Sequence, residues 1–476
     1  MAAPYSSVKS PVRAREQVVA LIVFVSGCAG GSDSMPTSIS SAASGAGGNA
    51  AGGMAFIGSS GTTVDGQSGA ASSVGSGASG ASGASGGGAG ALASGGSAGV
   101  SSAGTSGFGG GSAGSAAQSS GIYPPAAQVL EVLARVNKQF AGKWPDTGAP
   151  IVVGGTSRES NIWTRAVYYE GLLNLYGVDP RPAYKDYAIA WGNAHRWRLR
   201  NNDSTTTNAD NQCAGQPYID LYKLDGAQDA SRIAAIKTSV DGMVSGKVSN
   251  AWTWVDAIQM SMPVFARLGV LYPTGGYFDA MYALYSYPKK TLALYNTQDR
   301  LWWRDTPWKG QKSPAGKQVY WSRGNGWVFA ALSRVLDLLP SADAHRAEYL
   351  QDFTDMAAAL RGSQRADGFW DPNLNDPAHF GGPEASGTSL FVYGMAWGIR
   401  KGVLDEAVYA PVIVHAWQSL LDVSVQKDGF LDYVQSTGDD PSDGQPLSAT
   451  KVPDFEDYGV GCFLLGGSEL AKLAGR

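Results

Sequence analysis

The chain has few of the residues that build metal centres or disulfide scaffolds. Its 476 residues include only three cysteines and four histidines, and no histidine falls in an HExxH or comparable ligand spacing. We therefore expect no metal site. Cys213 and Cys462 both lie in apolar, helix-like segments, which predicts two buried free thiols; the alternative is a disulfide between them.

Cofactor motifs are equally scarce. The GxGxxG match formed by Gly109, Gly111 and Gly114 follows no strand pattern, and the chain has no P-loop, so no cofactor is predicted. The formal net charge is −4, with 36 Lys and Arg against 40 Asp and Glu. A nucleic-acid partner is therefore not expected, because phosphate binding needs a basic face. A small acidic ligand is compatible with this balance, since it needs only one or two arginines.

One long segment lacks basic side chains altogether. No Lys or Arg lies between Arg15 and Arg135, and 29 of the 64 glycines fall between Cys28 and Gly121. Such a composition buries too little apolar surface to offset its ordering entropy, which predicts a disordered linker over residues 29–121. Residues 122–476 contain all 14 tryptophans and are long enough to form one large domain with aromatic binding surfaces.

The first 28 residues have the pattern of a secretion signal. Basic residues precede the apolar run at residues 18–26, which is too short for a permanent transmembrane helix. The run ends in Val-Ser-Gly-Cys28, which resembles a bacterial lipobox and predicts acylation of Cys28. The alternative is ordinary cleavage beside an incidental cysteine. We expect a domain anchored by lipid in the bacterial cell envelope, in the periplasm or at the cell surface, with no other membrane contact.

From Ile122 onward the apolar residues recur at helical spacing, and alternating β-branched runs are rare. Six polar or aromatic clusters each precede an apolar helical segment, at residues 162–165, 210–212, 254–256, 321–325, 386–388 and 458–459. Repeats of this length are typical of stacked helical pairs. Six pairs predict an all-α, (α/α)6 barrel in which the clusters converge on one cleft; the alternative is an open helical solenoid.

Two acids stand out at the predicted cleft. Asp256 follows Trp252-Thr253-Trp254-Val255 at the start of an apolar helix, and Asp210 occupies the matching place in the preceding repeat. A carboxyl group beside indoles is desolvated, which raises its pKa, and a second acid nearby raises it further. This pairing suits a group that donates and then accepts a proton. The plainer alternative for Asp256 is a helix N-cap.

Two arginines lie among tryptophans. In Trp321-Ser322-Arg323-Gly324-Asn325-Gly326-Trp327, the indoles suit a sugar face and the guanidinium suits a carboxylate. The alternative is a helix start in which Ser322 or Asn325 is the cap. Arg304 follows two further tryptophans; a surface pair between Arg304 and Asp305 is as plausible there as substrate binding.

These segments together resemble glycoside hydrolase family 105, the unsaturated rhamnogalacturonyl hydrolases, which are related to the family 88 unsaturated glucuronyl hydrolases. The resemblance is carried by Asp256 with Met260 and Pro263, then WSRGNGW, ASGTSLFVYGMAWGI and YGVGCFLLGGSEL, in that order. It implies an (α/α)6 barrel and an enzyme that hydrates the C4=C5 double bond of a 4,5-unsaturated uronic acid, releasing it from the non-reducing end of lyase-generated oligosaccharides.

The resemblance also implies roles for individual residues. Asp256 matches the catalytic acid and base, and Asp210 matches the second acidic position, which binds sugar hydroxyls and raises the pKa of Asp256. Substrate contacts are implied for Trp254, Trp321, Arg323 and Trp327, with Arg323 as partner of the uronate carboxylate. Arg304 stands where some relatives have histidine, so a second carboxylate-binding arginine or an altered specificity follows.

The sequence leaves several functions open. The leading substrate is a galacturonyl-type rhamnogalacturonan fragment, and the alternative is an unsaturated glucuronyl substrate from ulvan or glycosaminoglycan. A conventional inverting glycosidase could use Asp210 and Asp256 as acid and base across a water-sized gap. The third hypothesis is a lipid-anchored protein that binds sugar and has no catalytic activity.

Overall fold

A computed structural model of the protein describes residues 121–153, 156–438, 440–445, 447, 449 and 456–476. The predicted signal peptide, the predicted lipidation site Cys28 and all of the predicted linker except Gly121 lie outside the described residues. Within these ranges, no helix combines the length and the apolar composition needed to cross a membrane.

Helices dominate the described residues and form an inner and an outer set. The inner helices are α2 (Trp163–Tyr176), α4 (Ala209–Gln212), α5 (Gly215–Leu224), α7 (Asp256–Leu271), α9 (Ser322–Leu338), α11 (Ala385–Arg400) and α13 (Glu456–Ala474). The outer helices are α1 (Ala126–Lys143), α3 (Pro182–Ala194), α6 (Ser231–Ser245), α8 (Tyr277–Ser286), α10 (Arg346–Gly362) and α12 (Glu406–Ser419). Short antiparallel strands pair β1 (Ile151–Val153) with β2 (Thr156–Arg158), and β3 (Tyr295–Asn296) with β4 (Leu301–Trp302).

The inner helices form a closed ring. Helix α2 packs against α5, α4 and α5 against α7, α7 against α9, α9 against α11, α11 against α13, and α13 back against α2. Each outer helix packs on the outside of a neighbouring inner helix. The predicted (α/α)6 barrel is confirmed, and closure of the ring excludes the open solenoid.

The six clusters recognised in the sequence lie at the starts of the inner helices, as predicted. One difference is that the second inner helix is divided into α4 and α5 by a turn at Cys213 and Ala214. Asn208 caps α4, because its side-chain oxygen accepts a hydrogen bond from the Asn211 N–H at 3.1 Å. Since all inner helices begin at one end of the barrel, the connections from outer to inner helices also lie there.

Small residues allow the inner helices to approach closely. A Cβ atom placed on Gly171 of α2 would lie 2.4 Å from the carbonyl oxygen of Gly461 of α13. Atoms at that distance clash, so only glycine fits at this crossing. The seam between the first and the last inner helix therefore depends on backbone-to-backbone packing.

Polar side chains in the barrel interior pair with one another. The fully buried Glu170 accepts hydrogen bonds from Arg334 Nη1 at 2.7 Å and Gln259 Nε2 at 3.0 Å. Arg267 donates twice to Asp220, at 2.7 and 2.8 Å. A buried charge without a partner is strongly destabilising, so these cross-helix pairs fix how α2, α5, α7 and α9 pack.

The two cysteines of the folded part are free and buried, as predicted. Cys213 lies against the carboxyl group of Glu170, with its Sγ 3.5 Å from Oε1. Burial raises the pKa of both thiols, Cys213 and Cys462. A thiol with a raised pKa is a poor nucleophile, so neither cysteine has the properties of a catalytic group.

Candidate active site

The candidate site is built around the start of α7. Asp256 is the first helical residue, and its neighbour Val255 occupies the N-cap position without any side-chain cap. The Asp256 residue is 8% exposed. The carboxyl group therefore does not cap the helix, which removes the plainer alternative for this residue.

A second segment is joined to this helix start through the backbone. The Val255 N–H donates to the carbonyl oxygen of Arg304 at 2.9 Å, and Trp254 and Asp305 form an antiparallel bridge. These contacts bring the Arg304 side chain to Asp256, where Nε lies 3.4 Å from Oδ2. Arg304 also pairs with Asp305, through Nη1 and Oδ2 at 2.5 Å. Arg304 therefore forms the predicted pair with Asp305 and also lies beside Asp256 in the candidate site.

Asn325 positions the segment that carries Arg304. Its Oδ1 accepts a hydrogen bond from the Trp302 N–H at 2.8 Å, and its Nδ2 donates to the Trp302 carbonyl oxygen at 3.0 Å. Helix α9 has no side-chain cap, so Asn325 is not the predicted capping residue. The sequence marked Asn325 only as part of an unusual heptad, because the partner lies 23 positions away.

The second acid interacts with the first. Asp210 lies in the first turn of α4, and its pKa is raised to about 7 by burial and then by the negative charge of Asp256, against the opposing charges of Arg304 and Arg200. Asp256 therefore acts electrostatically on Asp210, and the predicted close approach of the two carboxyl groups stays a prediction. The negative charge of Asp256 thus favours the protonated form of Asp210.

Burial is also the main influence on Asp256. It raises the pKa of this carboxyl group, while the positive charges of Arg304 and Arg323 act in the opposite direction. A carboxylic acid that keeps its proton at higher pH than usual can act as a general acid, and the nearby arginines stabilise the carboxylate that remains. The environment thus suits both halves of an acid and base cycle.

Arg323 is fully buried and bonded to backbone. Its Nη1 donates to the carbonyl oxygen of Gln435 at 2.8 Å and its Nη2 to that of Ser436 at 2.9 Å. The guanidinium lies between the rings of Trp321 and Tyr458, with centroids at 4.6 and 5.0 Å. Two of its nitrogens thus donate hydrogen bonds to the backbone that follows α12. Its contact with a uronate carboxylate stays a prediction.

Gln435 is a residue that sequence reasoning missed. It is fully buried, its N–H donates to Glu384 Oε1 at 3.2 Å, and its Oε1 accepts from Trp321 Nε1 at 2.9 Å. Its Nε2 donates to two backbone carbonyls, those of Asp440 and Asp443, each at 2.9 Å. Nothing in the local sequence signals this role, because Glu384 and Trp321 are the N-cap residues of α11 and α9, which are distant in the sequence.

The three tryptophans that were predicted to contact substrate differ in solvent exposure. Trp254 is half-buried beside Asp256, whereas Trp321 is 2% exposed and Trp327 is fully buried, edge-on to Trp163. The predicted contact of Trp321 and Trp327 with substrate stays a prediction, and Trp254 is the best placed of the three.

Within the described part of the chain, no group of three or more His, Cys, Asp or Glu side chains has an arrangement that could hold a metal ion.

Comparison with known proteins places this barrel among carbohydrate-active enzymes. Residues 133–474 match the model of Glycosyl Hydrolase Family 88. An unsaturated 3S-rhamnoglycuronyl hydrolase of Formosa agariphila is 35% identical over 331 residues, which cover 65% of this chain and 84% of that protein.

Two solved structures share both fold and sequence with the chain. A glycosyl hydrolase family 88 protein from Bacteroides vulgatus is 30% identical with a TM-score of 0.67, covering 74% of this chain and 100% of its own. A protein described as a polysaccharide lyase is 30% identical with a TM-score of 0.66, covering 73% of this chain and 97% of its own.

Proposed function

Because the chain belongs to glycosyl hydrolase family 88, we propose that it hydrates the C4=C5 double bond of an unsaturated uronic acid at the non-reducing end of an oligosaccharide. The observation that carries this proposal is the pair formed by Asp256 and Asp210. Both carboxyl groups have raised pKa values, and an arginine lies beside Asp256. A carboxylic acid whose raised pKa lets it keep a proton can deliver that proton and, as a carboxylate, take one back.

The reaction uses Asp256 twice. As an acid, it donates its proton to C4 of the unsaturated sugar, and positive charge develops toward C5 and the ring oxygen. As a carboxylate, it then takes a proton from water, whose oxygen bonds to C5. The resulting hemiketal opens to a ketone at C5, which leaves a hemiacetal at C1. The hemiacetal collapses to an aldehyde and releases the neighbouring sugar with its hydroxyl group, without any displacement by the protein at the anomeric carbon.

Asp210 and Arg304 support this cycle. Asp210 holds a proton over much of the neutral range, so it can donate a hydrogen bond to a sugar hydroxyl. Arg304 lies beside the reacting carboxyl group and is our candidate for binding the uronate carboxylate. Its guanidinium would then orient the double bond over Asp256.

We propose that the sugar next to the uronate is rhamnose. The support is the name of the curated relative, an unsaturated rhamnoglycuronyl hydrolase that is 35% identical. The double bond removes the stereocentre at C4, which is the centre that distinguishes galacturonyl from glucuronyl residues. Selection among rhamnogalacturonan, ulvan and glycosaminoglycan fragments therefore depends on the neighbouring sugar.

The test follows the ultraviolet absorbance of the double bond, which is conjugated with the carboxylate. The purified protein is mixed with an unsaturated uronyl-rhamnose disaccharide, and we expect the absorbance to fall. Asp256→Asn should lose at least about a thousandfold in rate, in line with removal of a general acid and base. Asp279→Asn is the matched control, since Asp279 is an exposed acid in the first turn of outer helix α8.

The same recording separates the competing chemistries. A polysaccharide lyase, the description given to one related structure, would create double bonds in a saturated polysaccharide and raise the absorbance. An inverting glycosidase would release sugar from a saturated oligosaccharide without any change in absorbance. A binding protein would bind the disaccharide equally well with Asp256 or with asparagine, and neither would turn it over.

A further inference from the structure

A groove on the outside of the barrel is separate from the candidate active site. It is a cavity of about 620 Å³ between the outer helices α1 and α3, with Leu172 of the inner helix α2 among its lining residues. The start of α3 contributes Arg181, Ala183 and Tyr184. Because α3 begins only after α2 has crossed the barrel, this groove lies toward the end opposite to Asp256. Its volume is in the range of sites that bind small molecules.

Small side chains keep the groove open. Ala134 and Ala141 of α1 line it and are seven positions apart, which places them about two turns apart on one face of the helix. Ala183 lines it from the start of α3 and is exposed. A larger side chain at any of these three positions would fill space that is now open between α1 and α3.

The groove also presents aromatic rings and a buried amide. Tyr184 is 8% exposed, and the Tyr187 hydroxyl donates to the Trp144 carbonyl oxygen at 2.5 Å, so both rings are held in place. Asn137 is 5% exposed, and its Oδ1 accepts a hydrogen bond from the Tyr168 hydroxyl at 2.7 Å. No described group accepts a hydrogen bond from its Nδ2, which leaves this donor for an occupant of the groove.

The groove is positively charged, although the whole chain has a net charge of −4. Arg135, Lys138 and Arg181 line it, and none of the described lining residues is acidic. Arg181 pairs with Asp179 at 2.7 Å, whereas Arg135 and Lys138 form no ion pair with any described residue. These two cations are three positions apart, so they are neighbours on one face of α1. They are therefore available to an anionic ligand.

We propose that this groove binds a chain of uronic acid residues, as a second carbohydrate site that takes no part in catalysis. Carboxylates of such a chain pair with Arg135 and Lys138, and the rings of Tyr184 and Tyr187 contact the faces of the sugars. Asn137 donates to a sugar hydroxyl or carboxylate. A membrane surface fits less well, because these cations line a concave groove. The choice of uronate among anionic ligands rests on the proposed function.

Calorimetry with hexagalacturonate tests the site, with a neutral galactan hexamer as the uncharged comparison. Arg135→Gln combined with Lys138→Gln should raise the Kd for hexagalacturonate at least about tenfold and change the Kd for the neutral hexamer far less. The kcat/KM for the unsaturated disaccharide should stay the same, because the groove is separate from the candidate active site. Arg361→Gln combined with Lys401→Gln is the matched control, since it removes two exposed cations outside the groove.

A further variant tests the cavity apart from its charge. Ala183→Trp fills the groove and keeps every cation, so it should also weaken the binding of hexagalacturonate. An unchanged Kd in the groove variants would refute the site, and an equal loss in the control variant would reduce it to an effect of net charge.

Two other results bear on the assignment. If the groove variants lose binding to vesicles of anionic lipid but keep their affinity for hexagalacturonate, the groove is a membrane contact and the proposal fails. If the unsubstituted protein binds hexagalacturonate through the groove but does not hydrate the disaccharide, the proposed reaction fails and the second site stands.

Discussion

Arg304 Nε lies 3.4 Å from Asp256 Oδ2, although 48 positions separate the two residues in the chain. The contact exists because the backbone of the arginine accepts a hydrogen bond from Val255, just before Asp256. A cation this close favours the carboxylate form and opposes the effect of burial. The balance between these two influences sets the pH range in which Asp256 can act as an acid.

Removal of the Arg304 charge should move the alkaline limb of activity to higher pH. This charge lowers the pKa of both Asp256 and Asp210, so Arg304→Gln raises both pKa values and keeps the two carboxyl groups protonated to higher pH. We expect the alkaline limb of the kcat/KM profile to shift to higher pH by about one unit. The maximal kcat/KM should be lower, because a carboxylate-binding group is lost. A pH–rate profile measures both effects.

Arg304→Lys keeps the charge and is the control for this experiment. Its alkaline limb should stay close to that of the unsubstituted protein, even if its maximum falls because the paired donors are lost. Coincident profiles for all three proteins would show that Arg304 does not control protonation of the acid pair.

Asp210→Asn should stabilise the folded protein at neutral pH. The pKa of Asp210 rises from 3.8 to about 7 on folding, so the folded state binds more protons than the unfolded state between these values. Stability is therefore lost as pH rises through that window, and asparagine removes the loss. We expect a gain on the order of 2 kcal/mol at pH 8, below the roughly 4 kcal/mol of a fully buried group, and almost none at pH 4.

Urea unfolding at pH 4, 6 and 8 measures this difference. Asp186→Asn, an exposed acid on outer helix α3, is the matched control and should show no comparable gain. A stability difference for Asp210→Asn that is the same at all three pH values would contradict a raised pKa at this position.

Arg323→Gln should destabilise the fold as well as reduce activity. The substitution leaves the buried carbonyl group of Ser436 without its donor and removes one of two donors to the carbonyl group of Gln435, which also accepts from the Tyr458 hydroxyl, at a cost of about 1–3 kcal/mol. The shift in the urea midpoint measures that cost, and Arg135→Gln, an exposed arginine on α1, is the control. A raised KM with an unchanged midpoint would instead assign Arg323 to substrate binding alone.

The sequence by itself determined the repeating pattern and the place of the acids. Helical spacing of apolar residues and a polar cluster before each inner helix are local properties of the sequence. They predicted both the barrel and the positions of Asp210 and Asp256 at the end where the inner helices begin. Burial of Cys213 and Cys462 followed from the same apolar context.

Only the tertiary structure decided which side chains meet at that end. Asn325 with Trp302, Arg323 with Gln435, and Arg304 with Asp256 are 23, 112 and 48 positions apart in the sequence. Local spacing cannot encode such pairs, because they depend on how the ring of helices closes and on which buried polar group needs a partner. For the same reason, the sequence singled out Arg323 without showing that its guanidinium is bonded to the backbone carbonyl groups of Gln435 and Ser436.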